Sequence, residues 1–436
     1  MFGNFAFMIV AFVVALSVIV AIHEYGHYIV GRWCGIHADV FSLGFGPVIY
    51  ARTDKRGTQW QVAALPLGGY VKFLGDANAA SVGSDGSARD LDARRTMLGA
   101  PLWARVATVA AGPIFNFILA IAIFAGSLMY QGRVSDPITF GELRELPPSY
   151  ATELQSGDIF LEVAGIPFDD PDREMSLVDV LPLEERLEYR VLRDGDEITV
   201  SGPFLMPTAV ASVSPRSAAD DANLKVNDVI MAVDGQPIFA FTQLQDLVLG
   251  AEGDPLELTL WRNGETILVT LNPRATDEPQ PDGTFKTTYR IGISGQLFFD
   301  AKTESIGLLE ATQMGAEGLW NTLTTSLSAM KHILFGQIST CNLSGPVGIA
   351  ETSGSMAEQG AQSFIWFIGA LSAAVGLINL FPIPVLDGGH LMFYAYEAVT
   401  RRKPNENAIQ VFMFVGLALI LSLMTYTILN DTILCP

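Results

Sequence analysis

The residues that could do chemistry begin with His23-Glu24-Tyr25-Gly26-His27, late in a long apolar segment. On a helix, positions i and i+4 share one face, so both imidazoles could bind one metal ion, with Glu24 beside the water that the metal activates. A charged carboxylate inside a membrane span costs about 2.5–3.5 kcal/mol on insertion scales, so it is expected only with a partner or a function. This pattern predicts a metal site with Glu24 as a general base.

A catalytic zinc ion takes three protein ligands and keeps one position for water. The sequence does not match the spacing of the third ligand in soluble zinc proteases. One pattern needs a glycine and a histidine at the positions of Val30 and Trp33, and another needs a glutamate shortly after the motif, whereas the next glutamate is Glu142. An acidic residue in a later apolar segment is Asp387, within a stretch broken by prolines and glycines. Irregular backbone at membrane depth is tolerated only where protein or a water-filled cavity satisfies its amides. We therefore predict a Zn²⁺ site from the two histidines and Asp387.

Two other interpretations stay open at this point. The histidine motif could be a chance match, and Glu24 and Asp387 could instead carry protons in an ion-translocating protein or a membrane scaffold. His390 is expected to be structural, because a fourth protein ligand would close the metal site. His37 and His332 lie outside the predicted spans and are expected to be structural as well.

Composition indicates a membrane protein with one acidic insert. Half of the 436 residues are hydrophobic and 17% are charged, which excludes a disordered chain. The predicted spans lie near residues 5–31, 106–130, 363–399 and 408–430. The net charge is −20, and residues 131–363 alone carry 14 basic and 35 acidic side chains. Such a surface argues against nucleic acid as a partner.

Basic residues predict the orientation in the membrane. Eight Lys and Arg side chains fall in residues 31–102, and Arg401, Arg402 and Lys403 form a second cluster. By the positive-inside rule both segments are cytoplasmic. Both termini and the acidic insert are then on the other side, which in a bacterium is the periplasm.

The insert is a tandem duplication. Leu154 and Leu224, Asp158 and Asp228, and Gly165 and Gly235 each differ by 70 positions, and Arg193 and Arg262 by 69. Each copy has a Gly-Asp or Asn-Asp pair before a predicted strand and a glycine turn. In this the two copies resemble PDZ domains, which bind peptides by strand addition and often capture a C-terminal carboxylate.

Together the motifs resemble one protein family. The segments His23-Glu24-x-x-His27 and Asn379-x-x-Pro382-x-Pro384-x-Leu386-Asp387-Gly388 are similar to those of the site-2 proteases, which are intramembrane zinc metalloproteases. The paired spans and double PDZ insert are most similar to the RseP-type regulator-of-sigma-E proteases. The resemblance implies that Glu24 is the general base and acid, and that His23, His27 and Asp387 hold zinc.

The same resemblance implies a substrate-binding region. Asn379, Pro382 and Pro384 would help to bind the substrate strand, and Gly68 and Gly69 lie in a segment similar to the family's membrane-associated β-hairpin. An amide within a span could equally serve helix packing. The hairpin could offer an edge for strand addition, or it could merely close the cavity.

The predicted fold is a polytopic α-helical membrane protein with four spans, a membrane-associated β-hairpin and two periplasmic PDZ domains. Its predicted divisions are residues 1–130 with two spans and the hairpin loop, 135–205 and 206–275 as the PDZ domains, 276–362 as a linker with an amphipathic membrane-surface helix, and 363–436 as the last two spans. The helix over 306–336 could alternatively pack against the PDZ pair. Residues 76–98 are predicted to form a loop.

The expected function follows from the resemblance. The chain is predicted to be an intramembrane zinc endopeptidase of the bacterial inner membrane, with its active site toward the cytoplasmic side. Its expected substrates are single-span membrane proteins, such as an anti-sigma factor in envelope stress signalling and leftover signal peptides. Its other expected contacts are the lipid bilayer and peptides or C-termini bound by the PDZ domains, which could instead act as a steric filter.

Overall fold

The computed structural model describes residues 2–75, 93–167, 174–279 and 285–434. Its helices are α1 (Phe2–Trp33), α2 (Leu102–Gln131), α3 (Glu174–Val180), α4 (Ala218–Asp221), α5 (Phe241–Gly250), α6 (Leu308–Leu334), α7 (Pro346–Glu358), α8 (Ala361–Asn379), α9 (Asp387–Thr400) and α10 (Glu406–Leu429). Most of the predicted loop 76–98 lies outside the described residues.

The strands follow in chain order. They are β1 (Ala38–Thr53), β2 (Gln59–Phe73), β3 (Arg133–Val134), β4 (Phe140–Leu143), β5 (Ile159–Val163), β6 (Ile166–Pro167), β7 (Arg186–Arg193), β8 (Asp196–Pro203), β9 (Val210–Val213), β10 (Val229–Val233), β11 (Gln236–Pro237), β12 (Leu256–Arg262), β13 (Glu265–Leu271), β14 (Arg274–Pro279), β15 (Phe285–Arg290), β16 (Ile293–Gly295), β17 (Phe299–Ala301) and β18 (Thr303–Glu304).

The chain divides into two compact units. The membrane unit comprises Met1–Ser127, Leu308–Gly336 and Thr340–Pro436, and the insert unit comprises Leu128–Gly307 with Gln337–Ser339. Among the described residues, four helices are long and apolar enough to cross a membrane. They are Phe5–Trp33, Leu102–Gln131, Ala361–Asn379 and Asn407–Leu434.

The break predicted within residues 363–399 is present. Helix α8 ends at Asn379, where the candidate span Ala361–Asn379 also ends, and a separate helix, α9, begins at Asp387. Pro382 and Pro384 cause the break, because proline has no backbone N–H and disfavours helical geometry in the residue before it. Amides within the break are satisfied locally, as Ile383 N donates to the carbonyl of Phe381 at 2.7 Å.

The predicted β-hairpin is present and packs against α1. Strands β1 and β2 pair with each other, and Phe41 on β1 lies opposite both Trp60 and Val71 of β2. The rings of Phe41 and Trp60 stack with centroids 4.3 Å apart. Tyr28 of α1 contacts both rings, at 5.9 and 5.0 Å. This aromatic cluster fixes the sheet to the helix that carries the histidine motif.

The predicted amphipathic helix forms, and its place on the membrane surface stays a prediction. One face of α6 lies against α2, where a Cβ on Gly315 would come 2.9 Å from the carbonyl oxygen of Ile121. Leu319 is buried in a cluster with residues of α2 and α8. Leu309 and Trp320 stay exposed. The helix therefore belongs to the membrane unit through its contacts with two candidate spans.

The duplication is visible in the insert unit as two sheets of equal order. One sheet has the order β6-β5-β7-β8, and the other has the order β11-β10-β12-β13. Each has its own core, with Phe140 and Tyr189 fully buried in the first and Leu258 and Leu260 in the second. Alternating apolar residues along these half-buried strands account for both cores.

The chain after β15 returns to both repeats. Strand β16 pairs with β9, β17 with β4, and β18 with β3. Phe298 and Phe299 are buried in the core of the first repeat. The sequence predicts a linker from residue 276, whereas these short strands form two-stranded sheets with partners far back in the chain.

Equivalent ion pairs hold the two repeats. Arg193 binds Asp158 through two hydrogen bonds of 2.7 Å, and Arg262 binds Asp228 through two of 2.6 Å. Both aspartate side chains are only 1% exposed. Burial alone would raise the pKa of Asp158, but the hydrogen bonds from Arg193 and from the amide of Gln155 outweigh it and lower that pKa.

Replacing Arg193 should destabilise the insert unit. Arg193→Leu leaves a buried carboxylate without its partner, which costs about 3 kcal/mol of unfolding free energy. The matched control is Arg190→Leu, because Arg190 is 44% exposed and pairs with Glu162 and Glu197 at the surface, where such pairs contribute below about 1 kcal/mol. Thermal unfolding of the full chain in detergent measures both, and equal losses would contradict the prediction.

The same pair predicts a pH dependence. Because the folded pKa of Asp158 lies below its ordinary value of 3.8, its stabilisation is complete above that value and is lost as the pH falls through the folded pKa. The stability difference between wild type and Arg193→Leu should therefore be constant at neutral pH. It should shrink as the pH falls, first through the pKa that burial raises in the variant and then toward the lowered pKa of the wild type. A difference that grows with acidification would contradict this assignment.

Candidate metal centre and active site

Helix α1 brings His23 and His27 together. Both residues are 9% exposed, and their Nε2 atoms lie 3.2 Å apart. The imidazole rings meet edge to face with centroids at 4.8 Å. This is the arrangement that the i, i+4 spacing predicts, with two nitrogen atoms pointing at one place.

Asp387 reaches the same place from the first residue of α9. Its Oδ2 atom lies 3.1 Å from His23 Nε2 and 3.4 Å from His27 Nε2. The two glycines after it are required, because a Cβ on Gly388 would come 2.1 Å from the Phe381 carbonyl oxygen, and one on Gly389 would come 2.4 Å from that of Ile383. The broken segment therefore folds tightly against the start of α9.

The three atoms fit a tetrahedral metal ion. Zinc sites with bonds of about 2.0–2.2 Å to nitrogen and oxygen place neighbouring ligand atoms about 3.3–3.5 Å apart, close to the 3.1–3.4 Å found here. Among the described residues, His23, His27 and Asp387 form the group that could hold a metal ion. Asp387 Oδ2 is buried and has no hydrogen-bond partner within that part of the chain.

Helix α2 supports the histidines, a role that its sequence pattern does not predict. His27 Nδ1 lies 2.9 Å from the Thr108 carbonyl oxygen. A carbonyl only accepts, so Nδ1 donates its proton and Nε2 keeps its lone pair. The helices are in close contact, because a Cβ on Gly112 would lie 2.3 Å from His27 Nε2, and one on Gly26 would lie 2.6 Å from the Ala111 carbonyl oxygen.

An ion pair also ties α9 to α2. Arg105 is 6% exposed and binds the Glu397 carboxylate through hydrogen bonds of 2.7 and 3.0 Å. Its guanidinium lies 5.1 Å from the Tyr394 ring centroid. Arg105 therefore fixes the later part of the helix that begins with Asp387. The sequence pattern did not predict this pair, because the two residues lie 292 positions apart.

The side chain of Glu24, a residue of α1, lies beside strand β2. Its carboxylate interacts electrostatically with His23, His27 and Asp387, and it faces the backbone of Val71. A Cβ on Gly69 would come 3.1 Å from Glu24 Cγ. The absence of a side chain at Gly69 thus lets the backbone of β2 pass beside the predicted general base.

The other predicted substrate-binding residues make different contacts. The Asn379 amide donates to the Val375 carbonyl oxygen at 3.0 Å, within its own helix. A Cβ on Gly68 would meet the Phe45 ring at 2.4 Å, and Pro384 lies against Gly416 of α10. Pro382 belongs to the turn between α8 and α9. These contacts place the residues in the fold, and their roles toward a substrate stay predictions.

The remaining histidines lie outside the metal-ligand group. His332 Nδ1 lies 2.7 Å from the Ser328 carbonyl oxygen, and His37 Nε2 lies 3.7 Å from Asp39 Oδ1. His390 follows Asp387 by one turn of α9, and its backbone N donates to the Leu386 carbonyl at 3.4 Å. None of the three joins the group that could hold a metal among the described residues.

Comparison with known families decides the assignment. Residues 11–423 match the family described as Peptidase family M50. The chain belongs to peptidase family M50. With its four candidate spans it is a multi-pass membrane peptidase, and the predicted enzyme class is confirmed.

Two relatives match it over nearly their whole length. The chain is 34% identical to a protein of Rhizobium meliloti over 98% of this chain and 97% of that one. It is 35% identical to a protein of Agrobacterium fabrum over 97% of this chain and 95% of that one. Both relatives carry zinc-metalloprotease names.

One solved structure matches a part of the peptidase. It is the PDZ domain of an SdrC-like protein from Listeria monocytogenes, with 22% identity and a TM-score of 0.17. The match covers 20% of this chain and 84% of that one.

Gly112 provides a test of the close approach of α2. A methyl group in Gly112→Ala would lie 2.3 Å from His27 Nε2 and 2.8 Å from the His23 ring, so the ligands must move. We expect zinc affinity and activity to fall by at least about tenfold, since ligand placement sets metal affinity. The control is Gly126→Ala on the same helix, where a Cβ meets nothing within 4 Å, and a loss of zinc there would contradict the steric explanation.

Proposed function

We propose that the chain is an intramembrane zinc endopeptidase of the bacterial inner membrane that cleaves single-span membrane proteins in or near their spans. The observation that carries this proposal is the group of three ligand atoms, 3.1–3.4 Å apart, in the membrane unit. Membership of family M50 and the zinc-metalloprotease names of the relatives support it. Substrates similar to an anti-sigma factor, in envelope stress signalling, and remnant signal peptides are part of the proposal.

The three candidate metal ligands and Glu24 have different proposed roles in hydrolysis. His23, His27 and Asp387 would hold the zinc ion, which supplies Lewis-acid activation of water and of the scissile carbonyl when bound. Glu24 takes a proton from the attacking water and later gives it to the leaving amine. Its position beside the metal-ligand group, where it interacts electrostatically with all three ligands, suits that role.

Binding of the substrate must replace the hydrogen bonds inside its helix. If the unwound substrate binds as an added strand beside β2, the strand can form hydrogen bonds with the backbone groups that unwinding exposes. Gly69 brings β2 within contact of Glu24. Gly68 belongs to the same strand. Asn379 could donate to the substrate backbone after giving up its bond to Val375, with Pro382 and Pro384 shaping the turn next to it.

The insert unit is proposed to be periplasmic and to consist of two PDZ domains, over residues 135–205 and 206–275 together with the strands that return to them. The repeated sheet order supports two copies of one fold. These domains would either bind a peptide C-terminus or limit which substrates reach the membrane unit.

Two substitutions test the proposed roles. Glu24→Gln should lower cleavage by about 10²–10⁴-fold while zinc stays near one ion per chain, because it removes proton transfer but no ligand. Asp387→Asn should lose zinc as well as cleavage, because a neutral amide is a weaker ligand. Cleavage of a single-span reporter in vesicles and metal analysis of the purified protein give the two readouts.

The control is Glu317→Gln on α6, an exposed glutamate outside the metal-ligand group, which should change neither readout. If Glu24→Gln still cleaved the reporter at the wild-type rate, the proposed catalytic role would be wrong. If Asp387→Asn kept its zinc, the proposed ligand set would be wrong.

A further inference from the structure

Both histidines of the metal centre meet helix α2 through the ring nitrogen that faces away from the metal. His27 Nδ1 contacts the Thr108 carbonyl oxygen at 2.9 Å. His23 Nδ1 contacts the Asn116 carboxamide at 3.2 Å. Asn116 is 0% exposed, so water cannot replace its contact with His23. Thr108, Gly112 and Asn116 are four residues apart and therefore form one stripe along α2.

The position of the metal fixes the proton on His23. Its Nε2 lies 3.1 Å from Asp387 Oδ2 and 3.2 Å from His27 Nε2, so this nitrogen must offer its lone pair when zinc is bound. A neutral imidazole then carries its proton on Nδ1 and needs an acceptor there. The Asn116 carboxamide is the buried group in contact with Nδ1.

The carboxamide can supply that acceptor. Its oxygen and nitrogen ends have nearly the same shape, and their assignment follows from the surrounding hydrogen bonds. The end that points away from His23, Oδ1, is buried and has no hydrogen-bond partner among the described residues. No hydrogen bond is therefore lost when the amide turns so that Oδ1 faces His23 Nδ1.

We propose that Asn116 is a positioning residue of the metal centre, whose side-chain oxygen accepts the Nδ1 proton of His23 and so fixes the tautomer that binds zinc. The proposal rests on the ligand set of the proposed function. It gives the two histidines different supports, because a backbone carbonyl holds His27 and a side chain holds His23. Only the second can be changed by mutation without altering the backbone.

Asn116 is itself held in place. Its backbone carbonyl accepts a hydrogen bond of 2.9 Å from the Ser372 hydroxyl on α8. Next to it, a Cβ on Gly376 would lie 2.8 Å from the Phe117 ring and 3.1 Å from the Pro113 carbonyl oxygen. Close packing of α8 on α2 thus holds the backbone of Asn116, while its side chain reaches His23.

The test compares three variants of the full-length protein in detergent. Asn116→Asp keeps an acceptor oxygen, and Asn116→Leu keeps the approximate shape but has no acceptor. The control, Ser353→Ala, removes a buried hydrogen bond within α7 that involves neither a metal ligand nor Asn116. Zinc affinity is measured by competition with a chelator. The ligand-field spectrum of the cobalt-substituted protein reports the geometry of the site, and melting of the zinc-free protein reports folding.

We expect Asn116→Leu to weaken zinc binding by about 10–100-fold, the usual effect of losing a partner of a ligating histidine. Asn116→Asp should bind zinc as tightly as wild type or more tightly, and Ser353→Ala should stay within about threefold. A purely structural role would make Asn116→Asp the more damaging change, because it buries a charge. Equal zinc affinity in wild type and Asn116→Leu, or weaker binding by Asn116→Asp than by Asn116→Leu, would overturn the proposal.

Two further variants make the result interpretable if Asn116→Leu does not fold or if it keeps its zinc. If Asn116→Leu does not fold, Asn116→Ala also lacks the acceptor, and it should show the same loss. His23→Ala separates this proposal from the one on which it rests. If His23→Ala loses zinc while Asn116→Leu keeps it, only the role of Asn116 is wrong, whereas zinc binding at the wild-type level in His23→Ala would contradict the ligand set itself.

Discussion

The membrane unit depends on bringing three lone pairs to one point. Two imidazole nitrogens and a carboxylate oxygen lie 3.1–3.4 Å apart, a crowding of acceptors that is unfavourable unless a cation binds between them. Without a metal, the fold must hold these groups together against their repulsion. Contacts that fix α1, α2 and α9 therefore contribute to metal affinity, because a site that is already assembled need not be ordered when the ion binds.

Helix α2 supplies most of that support. It contacts the ligands of α1 through Thr108 and Asn116, approaches them at Gly112, and binds the helix of Asp387 through Arg105. Ligands that lie 364 positions apart in the sequence thus share one supporting element. A helix without a ligand of its own sets the geometry of the centre.

The grouping of His23, His27 and Asp387 could be predicted from the sequence, and the contacts that support it could not. His23 and His27 have a spacing that acts within one helix, and Asp387 stood out as a carboxylate in a broken apolar segment. Thr108 acts through its carbonyl, which every residue has, and the role of Gly112 depends on which helix packs there. In α2, Asn116 lies four and eight positions after Gly112 and Thr108, but this spacing gains a meaning only when the position of α1 is known.

The insert unit likewise has features that could be predicted from the sequence and features that could not. Its duplication was predictable because Asp158 and Asp228, and Arg193 and Arg262, keep their spacing, and each pair holds equivalent parts of its repeat. The returning strands β16, β17 and β18 were not predictable, because each has only two or three residues. Such short strands carry no periodicity of their own and are defined only by partners far back in the chain. Local pattern thus identifies groups that act within one element, and packing alone identifies the groups that hold elements together.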